Sequence, residues 1–443
     1  MIYLDLKNIV IENISYIADR FERQPEYPWI DTKFDVITGR DFPEEDIIRS
    51  RNTVYSWIQG RGLESLVGHA CWLKGLNKPE ADHLAERLTN ITRMVYEKLF
   101  YVWQLNNYHF FFYMSPEGTP IEIDIQKKII KQKTLIKDSP YNFSDLFCSK
   151  GLYAAARFLK NDISKITLLR EYCGNVYNSI MSGQFISDQQ QLDSKNPVAP
   201  VAGRYSHGPM MIQIGAVALL AMHEKSSDAV EMGLSLIEKI LNNYVNINDR
   251  WPDLRLYDFV EFIDKQGNPY LQDGHILSDP GHALEFIGLS LKFMDIIGKL
   301  NIASVKQLNR LQEAKLTMPL IFKQNYRNGL SSDVDGICKL FSLSHRKAVN
   351  SDMPWWSLAE TIRAAAYCLK LTNDSYFLDV IKSCHHSFMK KYVRKDRHYF
   401  QYQTLGIDSK PVYSIPAMPD VDPGYHTGLS LIDTLAIHES YIN

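Results

Sequence analysis

The sequence predicts an all-α protein, an (α/α)6 barrel with short β-hairpins in its loops. Three observations carry that expectation. Segments such as ADHLAERLTNITRMVYEKLF (81–100), AVEMGLSLIEKILNNYV (229–245) and HALEFIGLSLKFMDIIGKL (282–300) place apolar residues at the three- and four-residue spacing of a helix face. The helices also alternate in character. GLYAAARF, MMIQIGAVALLA and ETIRAAAYCL are rich in Ala and Gly and poor in charge, whereas NDISKITLLREYCGNVYNSI and SSDAVEMGLSLIEKILNNYV, which follow two of them, carry charges on one face. Close-packed inner helices sheathed by amphipathic outer ones give this alternation. Finally, 443 residues hold about twelve helices of ordinary length with their loops. An α-solenoid would need a fixed sequence period, and there is none.

Between the helices lie three aromatic, alternating stretches broken by a Gly-containing turn: NYHFFFYMSPEGTPI, DFVEFIDKQGNPYL and HYFQYQTLGIDSKPVY. Each reads as a short hairpin. The lysine-rich run KKIIKQKTLIKD (127–138) reads as a solvated loop or outer face. No Ser/Gly-rich linker or shift of composition divides the chain, so residues 1–443 are expected to form one catalytic domain.

A formal charge of −2, with 49 Lys and Arg against 51 Asp and Glu, argues against nucleic acid or an anionic membrane as partner. The 12% aromatic content suits a carbohydrate cleft. The six cysteines form no CxxC pair and read mostly as buried free thiols of a reducing compartment. The N-terminal MIYLDLKNIVIENISYIADRF has acidic residues throughout and no cleavage site, so no signal peptide is expected. No stretch reaches the ~18 uncharged apolar residues of a membrane span. A cytoplasmic location is the expectation.

Polar groups recur at the starts of predicted helices: Arg61 and His69 in SWIQGRGLESLVGHA, Arg204 and His207 in AGRYSHGPMMIQIG, and His282 and Glu285 in LSDPGHALEFIG. Trp355, Trp356 and Glu360 in DMPWWSLAETIRAA and His426 in VDPGYHTGLSLI complete the set. Each alone has an ordinary structural explanation as cap, core or ion-pair residue. A histidine after two separate Pro-Gly turns and another before Gly-Pro is a pattern that such explanations do not cover. In a helical barrel the inner-helix N-termini share one end, so these groups can converge on a pocket whose helix dipoles favour an anionic intermediate. There is no HxxxH, HExxH or Cys/His cluster, no GxSxG elbow, no Walker loop and no GxGxxG, so neither metal nor cofactor is expected.

The ordered set W-I-Q-G-R (57–61), G-R-Y-S-H-G-P-M (203–210), F-V-E-F-I-D (259–264), D-P-G-H-A-L-E-F (279–286), W-W-S-L-A-E (355–360) and Y-H (425–426) resembles the N-acylglucosamine 2-epimerase superfamily. That superfamily includes cellobiose 2-epimerases and mannose-type aldose–ketose isomerases. The resemblance implies an (α/α)6 barrel, often dimeric, and cofactor-free proton transfer at C2 of a reducing sugar through a cis-enediolate. It implies His282 and His426 as the acid/base pair and Arg61 as the group holding O1 and O2. His207, Glu285 and Glu360 would orient the sugar or tune the bases, Arg204 would bind the sugar, and Trp355 or Trp356 would stack on one of its faces. Histidine suits the chemistry because its ordinary pKa of about 6.5 lies near neutrality. Glu285, three residues after His282, is expected to orient that imidazole and raise its pKa.

Family members commonly follow the second histidine with Pro-Arg; this chain has YHTGLSLI, preceded by SIPAMPDVDPG, so an arginine beside the sugar is missing and Asp420 or Asp422 is expected in its space. Two other functions share the barrel. A glycoside hydrolase of the unsaturated glucuronyl hydrolase type would recruit Asp279, Glu285, Glu360 and Asp422 as acid and base, but gives no reason for the histidines. A non-catalytic sugar-binding barrel is the other.

Overall fold

The computed structural model describes residues 2–125, 127–135, 138–190, 192, 200–331, 336–413 and 420–442. Twelve α-helices run through the described residues: α1 (Ile2–Arg23), α2 (Ser56–Gly75), α3 (Pro79–Leu105), α4 (Phe143–Phe158), α5 (Ile163–Met181) and α6 (Gly208–Glu224) in the first half. The second half holds α7 (Ser227–Tyr244), α8 (Pro280–Leu300), α9 (Val305–Gly329), α10 (Trp355–Thr372), α11 (Ser375–Ser387) and α12 (Ser430–Ile442). Helices α2, α4, α6, α8, α10 and α12 pack in sequence as an inner ring, which a π-helical turn at Tyr425–Leu429 closes against α2. The odd-numbered helices sheath it, so the fold is the expected (α/α)6 barrel. None of the described helices is long and apolar enough to cross a membrane.

Local chemistry explains the elements. The outer helix α3 starts with Pro79 in its first turn, has Glu80 and Asp82 at its positive end, and buries Leu84, Leu88, Ile91, Val95, Leu99 and Val102 along one stripe. The inner helix α4 opens with a capping box in which Asn142 and Asp145 satisfy each other's backbone N–H. Small residues let inner helices touch. A Cβ on Gly151 would stand 2.2 Å from the Gly60 carbonyl oxygen, and one on Gly60 would stand 2.5 Å from Phe147 backbone. Five of the cysteines are buried thiols as expected; Cys71 is exposed.

Four inner helices are entered from a short strand that pairs with a distant loop. Val54–Tyr55 before α2 pairs with Tyr113–Met114, and Tyr205–Ser206 before α6 pairs with Phe262–Ile263. His275–Ser278 before α8 pairs with Leu340–Ser342, and Met353–Pro354 before α10 pairs with Thr404–Leu405. These ladders cross-link the expected hairpins. All three stretches fold back on themselves: Tyr113–Met114 pairs with Pro120–Ile121, Ile263 bridges Pro269 and Leu405 bridges Pro411, each antiparallel. The strands of 258–271 and 398–413 also pair outward, with the entries to α6, α8 and α10. The lysine-rich run forms an exposed strand, Ile129–Gln132, against Ile121–Asp124 rather than a loop; Ile136 and Lys137 lie outside the described residues.

The α2–α4 contact gives a direct test. Gly151→Ala should destabilise by about 1–3 kcal/mol, the range of overpacking. Gly174→Ala, on α5 where nothing lies within 4 Å, should stabilise by up to about 1 kcal/mol through helix propensity. Equilibrium urea unfolding of both variants reads the difference, and equal signs would refute the close approach.

Candidate active site

The N-termini of the inner helices gather at one end around a cavity of about 770 Å3, a size suited to a small organic ligand. Arg61, Arg204, His282, Glu285, Trp355, Trp356 and His426 all line it. Three sequence candidates do not. His69 sits deep in α2, fully buried under Gly424 and Gly428, where a Cβ on Gly428 would come within 2.3 Å of its ring. His207 and Glu360, expected to orient substrate or tune the bases, stand one layer behind the wall at 0% and 1% exposure, beside Glu261 and His426 respectively.

His282 is set by the start of α8. Asp279 caps that helix, its Oδ1 accepting from the N–H of Gly281 at 3.0 Å and of His282 at 3.3 Å, with Pro280 in the first turn. Gly281 has no room for a side chain, since a Cβ there would meet the Trp356 indole at 2.8 Å. The imidazole of His282 stacks on that indole with centroids 5.3 Å apart. Its Nδ1 lies 3.1 and 3.2 Å from the two carboxylate oxygens of Glu261. This corrects the expectation that Glu285 orients His282. Glu285 lies one turn deeper and its Oε1 is 3.9 Å from Nδ1 of His426 instead.

Glu261 is the residue sequence reasoning missed. It follows Phe259 and Val260 and precedes Phe262, so a charge in so apolar a stretch was itself a signal that partners existed. The ladder explains its place: Ser206 pairs with Phe262, which sets His207 beside Glu261, and the N–H of Glu261 donates to the carbonyl of Leu277 at 2.8 Å. Its Oε2 lies 3.2 Å from Nε2 of His207. Burial would raise its pKa, but the two imidazoles outweigh burial and hold it well below the usual carboxylate range. His282 responds in the opposite sense. Burial works against its charge, yet Asp279 and Glu261 prevail and lift it to about 9, with Lys339 opposing them. Lys339 donates to Asp279 Oδ2 at 2.6 Å and also lines the cavity.

His426 rides on the π-helical turn. Asp422 holds that turn by accepting from the N–H of Tyr425 (3.0 Å), His426 (3.3 Å) and Thr427 (2.8 Å). Asp420 instead pairs with Lys33 at 2.8 Å and Thr32 at 2.7 Å. Both aspartates line the cavity near His426, as expected, but their carboxylates are spent on structure; residues 414–419 of the unusual segment lie outside the described residues. The His426 ring lies 5.6 Å from Trp356, and its Nδ1 is 3.0 Å from Glu360 Oε1. Glu360 also accepts from Ser430 Oγ at 3.1 Å and from the Arg363 guanidinium. Burial pushes Glu360 up to about 7 against the pull of Arg363, and lowers His426 to about 4.

Arg61 packs its guanidinium over Phe147 at 4.1 Å and near Trp57 and Tyr425, each at 5.4 Å. Its Nε has no hydrogen-bond partner among the described residues, and burial lowers its pKa. Lys150 fixes Tyr425 by donating to its hydroxyl at 2.8 Å. Arg204 lies over Phe262 at 4.2 Å and donates to Gln272 at 2.6 Å. Two trios offer atoms close enough to hold a cation, His207–Glu261–His282 and Glu285–Glu360–His426, each within 4.8 Å. In both, the imidazole already has a carboxylate oxygen at hydrogen-bond distance.

The N-acylglucosamine 2-epimerase (GlcNAc 2-epimerase) family model matches residues 180–426, more than half of the chain. No curated protein matches it in sequence. Among solved structures it is similar to a sugar epimerase from a ruminal bacterium, at 13% identity over 98% of this chain and 99% of that one, with a TM-score of 0.66. It is also similar to cellobiose 2-epimerase from Spirochaeta thermophila (13%, 97% and 98%, TM-score 0.63). A D-mannose isomerase gives 12% identity over 96% and 97%, with a TM-score of 0.60. At these identities the structural likeness speaks for the barrel.

If Glu261 holds His282 protonated, Glu261→Gln should move the imidazole titration of His282 downward from about 9. Proton NMR of the ring resonances follows it, and an unmoved midpoint would assign the whole effect to Asp279.

Proposed function

The chain belongs to the N-acylglucosamine 2-epimerase family and is a carbohydrate epimerase or isomerase; from that premise we propose that His426 and His282 move the proton at C2 of a reducing sugar. The observation that carries this reading is a pair of imidazoles on one cavity wall, each bonded through Nδ1 to a buried carboxylate, with pKa values driven apart to about 4 and about 9. Pairs of titratable groups pushed apart in this way divide into acid and base.

At neutral pH His426 is uncharged and His282 is protonated. With Nδ1 engaged, each presents Nε2 to a ligand. His426 takes the C2 proton of the open-chain aldose, the C–H electrons move into a C1–C2 double bond, and the C1 carbonyl becomes an enediolate oxygen. The Arg61 guanidinium and the inner-helix N-termini stabilise that charge. His282 returns a proton to C2 from its own side, giving the epimer; when the O2 proton passes to O1 first, return of a proton to C1 leaves the C2 carbonyl of the ketose. Trp356, against which both imidazoles lie, keeps the two acid/base groups at fixed spacing. A hydrolase is disfavoured because two of its four candidate carboxylates, Asp279 and Asp422, are tied to backbone N–H groups.

Incubation in D2O with N-acetylglucosamine, N-acetylmannosamine, glucose, mannose and cellobiose, followed by NMR at C2, tests the reading. Exchange on at least one sugar is expected, and none on any would overturn it. His282→Asn and His426→Asn should each lower kcat by about 10²–10⁴-fold with KM little changed.

The pH profile should be a bell. Below about 7 Glu360 is protonated and donates to Nδ1 of His426, which leaves the ring proton on Nε2 and blocks the base. Above about 9 His282 loses its proton and the acid is gone. The kcat profile should therefore rise near 7 and fall near 9, and Glu360→Gln should abolish the lower limb. A lower limb that survives in that variant would move the assignment elsewhere.

A further inference from the structure

The carboxylate behind His426 belongs to a longer chain of charges. Glu360 accepts from the Arg363 guanidinium, whose Nη1 lies 3.9 Å from Asp433 Oδ2. Asp433 Oδ1 in turn lies 2.9 Å from Lys292 Nζ. With Glu360 at 3.0 Å from His426 Nδ1, four charged side chains on α8, α10 and α12 lead from the imidazole to Lys292, whose side chain is 30% exposed. Neither Asp433 nor Lys292 lines the cavity. Neutralising Arg363 does not require Asp433, because Glu360 already binds it. The Asp433 oxygen that faces the guanidinium has no hydrogen-bond partner among the described residues, and neither has Arg363 Nε. A buried carboxylate oxygen left unbonded costs free energy, and this one acts on Arg363 through charge alone.

We infer that Asp433 and Lys292 are positioning residues that act on the base through Arg363. Asp433 draws the guanidinium charge away from Glu360, and Lys292 limits how far it does so. Glu360 is thereby kept a strong acceptor for His426 Nδ1, and its hold on that ring is set by a pair of residues outside the cavity. The inference rests on the proposed role of His426 as base. The other polar groups around Glu360 are His426 on the π-helical turn, Ser430 on α12, Asp422 in the loop before that turn, Glu285 on α8 and Arg61 on α2. All of these line the cavity or hold His426 in place, so Asp433 and Lys292 are the members that can be altered without touching the site.

The test compares two variants whose effects have opposite signs. Asp433→Asn leaves Arg363 to Glu360 alone, which eases ionisation of that carboxyl. The lower limb of the kcat profile should then move down from about 7 by about 0.5–1 pH unit, less than the 1–3 units of a charge in direct contact. Lys292→Gln, at a partly exposed position where folding tolerates change, leaves Asp433 uncompensated and should move the limb up. KM should stay within about twofold in both, since neither residue reaches the sugar. The same midpoint is read without sugar from the His426 ring resonances in NMR, because Glu360 titrates 3.0 Å from that ring. Opposite shifts in the two variants support the inference. A midpoint that stays near 7 in both, or moves the same way in both, overturns it. Should Asp433→Asn fail to fold, the direction of the shift in Lys292→Gln decides alone. Opposite NMR shifts without C2 exchange on any sugar keep the chain of charges and sink the epimerase reading, while exchange with unmoved midpoints does the reverse.

Discussion

The site depends on where one buried carboxylate can be placed. Glu261 meets two imidazoles from different inner helices because its own strand is clamped between the strands that lead into them. Ser206 pairs with Phe262 on one side, and the Glu261 N–H bonds the Leu277 carbonyl on the other. A slip of one residue would turn Glu261 to the opposite face and leave a charge in an apolar stretch. The cost of an unpaired buried carboxylate is several kcal/mol, so the ladder and the ion cluster enforce each other. Loops that look like ornaments on a helical barrel are thus what fixes its chemistry.

The second histidine shows the same logic with a different balance. Around His282 there are two carboxylates, Asp279 and Glu261, against one nearby lysine, so charge is held on the imidazole in spite of burial. Around His426 the carboxylate of Glu360 is already claimed by Arg363 and Ser430, and Arg61 lies close by, so burial prevails and the ring is neutral. One protein thereby holds two identical side chains in opposite protonation states at neutral pH. The difference lies entirely in what stands behind them.

Much of this was legible in the sequence, and the failures have physical causes. The alternation of Ala-rich and amphipathic helices gave the barrel because inner helices must approach closely and outer ones must meet water. The Asp-Pro-Gly-His turn showed its function because a cap, a fixed φ and a side-chain-free position are all needed to seat His282 against Trp356. Glu285 was misassigned because spacing on a helix says which face a residue shares but not how deep it sits. One turn further down, its neighbour is His426. Glu261 escaped because a strand pairing between residues some fifty positions apart leaves no local periodicity. Arg363 could have been suspected, since a guanidinium in the Ala-rich middle of an inner helix must find an acid, and Glu360 three residues earlier was the nearest.

Arg363 also bears on the departure after the second histidine. In the H-x-P-R run of the family the arginine stands three residues after the histidine; here that position is Leu429, packed against Gly68 of α2, where a Cβ would come within 2.4 Å of its Cδ2. Arg363 does not replace that missing contact with a sugar. It lies behind Glu360, packed against Gly288 of α8, where a Cβ would come within 2.8 Å of its Nε. Its charge is delivered to the base through a carboxylate. Of the cations on the cavity wall, Arg61 stands on the His426 side and Lys339 on the His282 side, and Arg204 lines the wall as well. On the proposed reaction, cations set beside both imidazoles would neutralise the charge of an enediolate whichever histidine it faces.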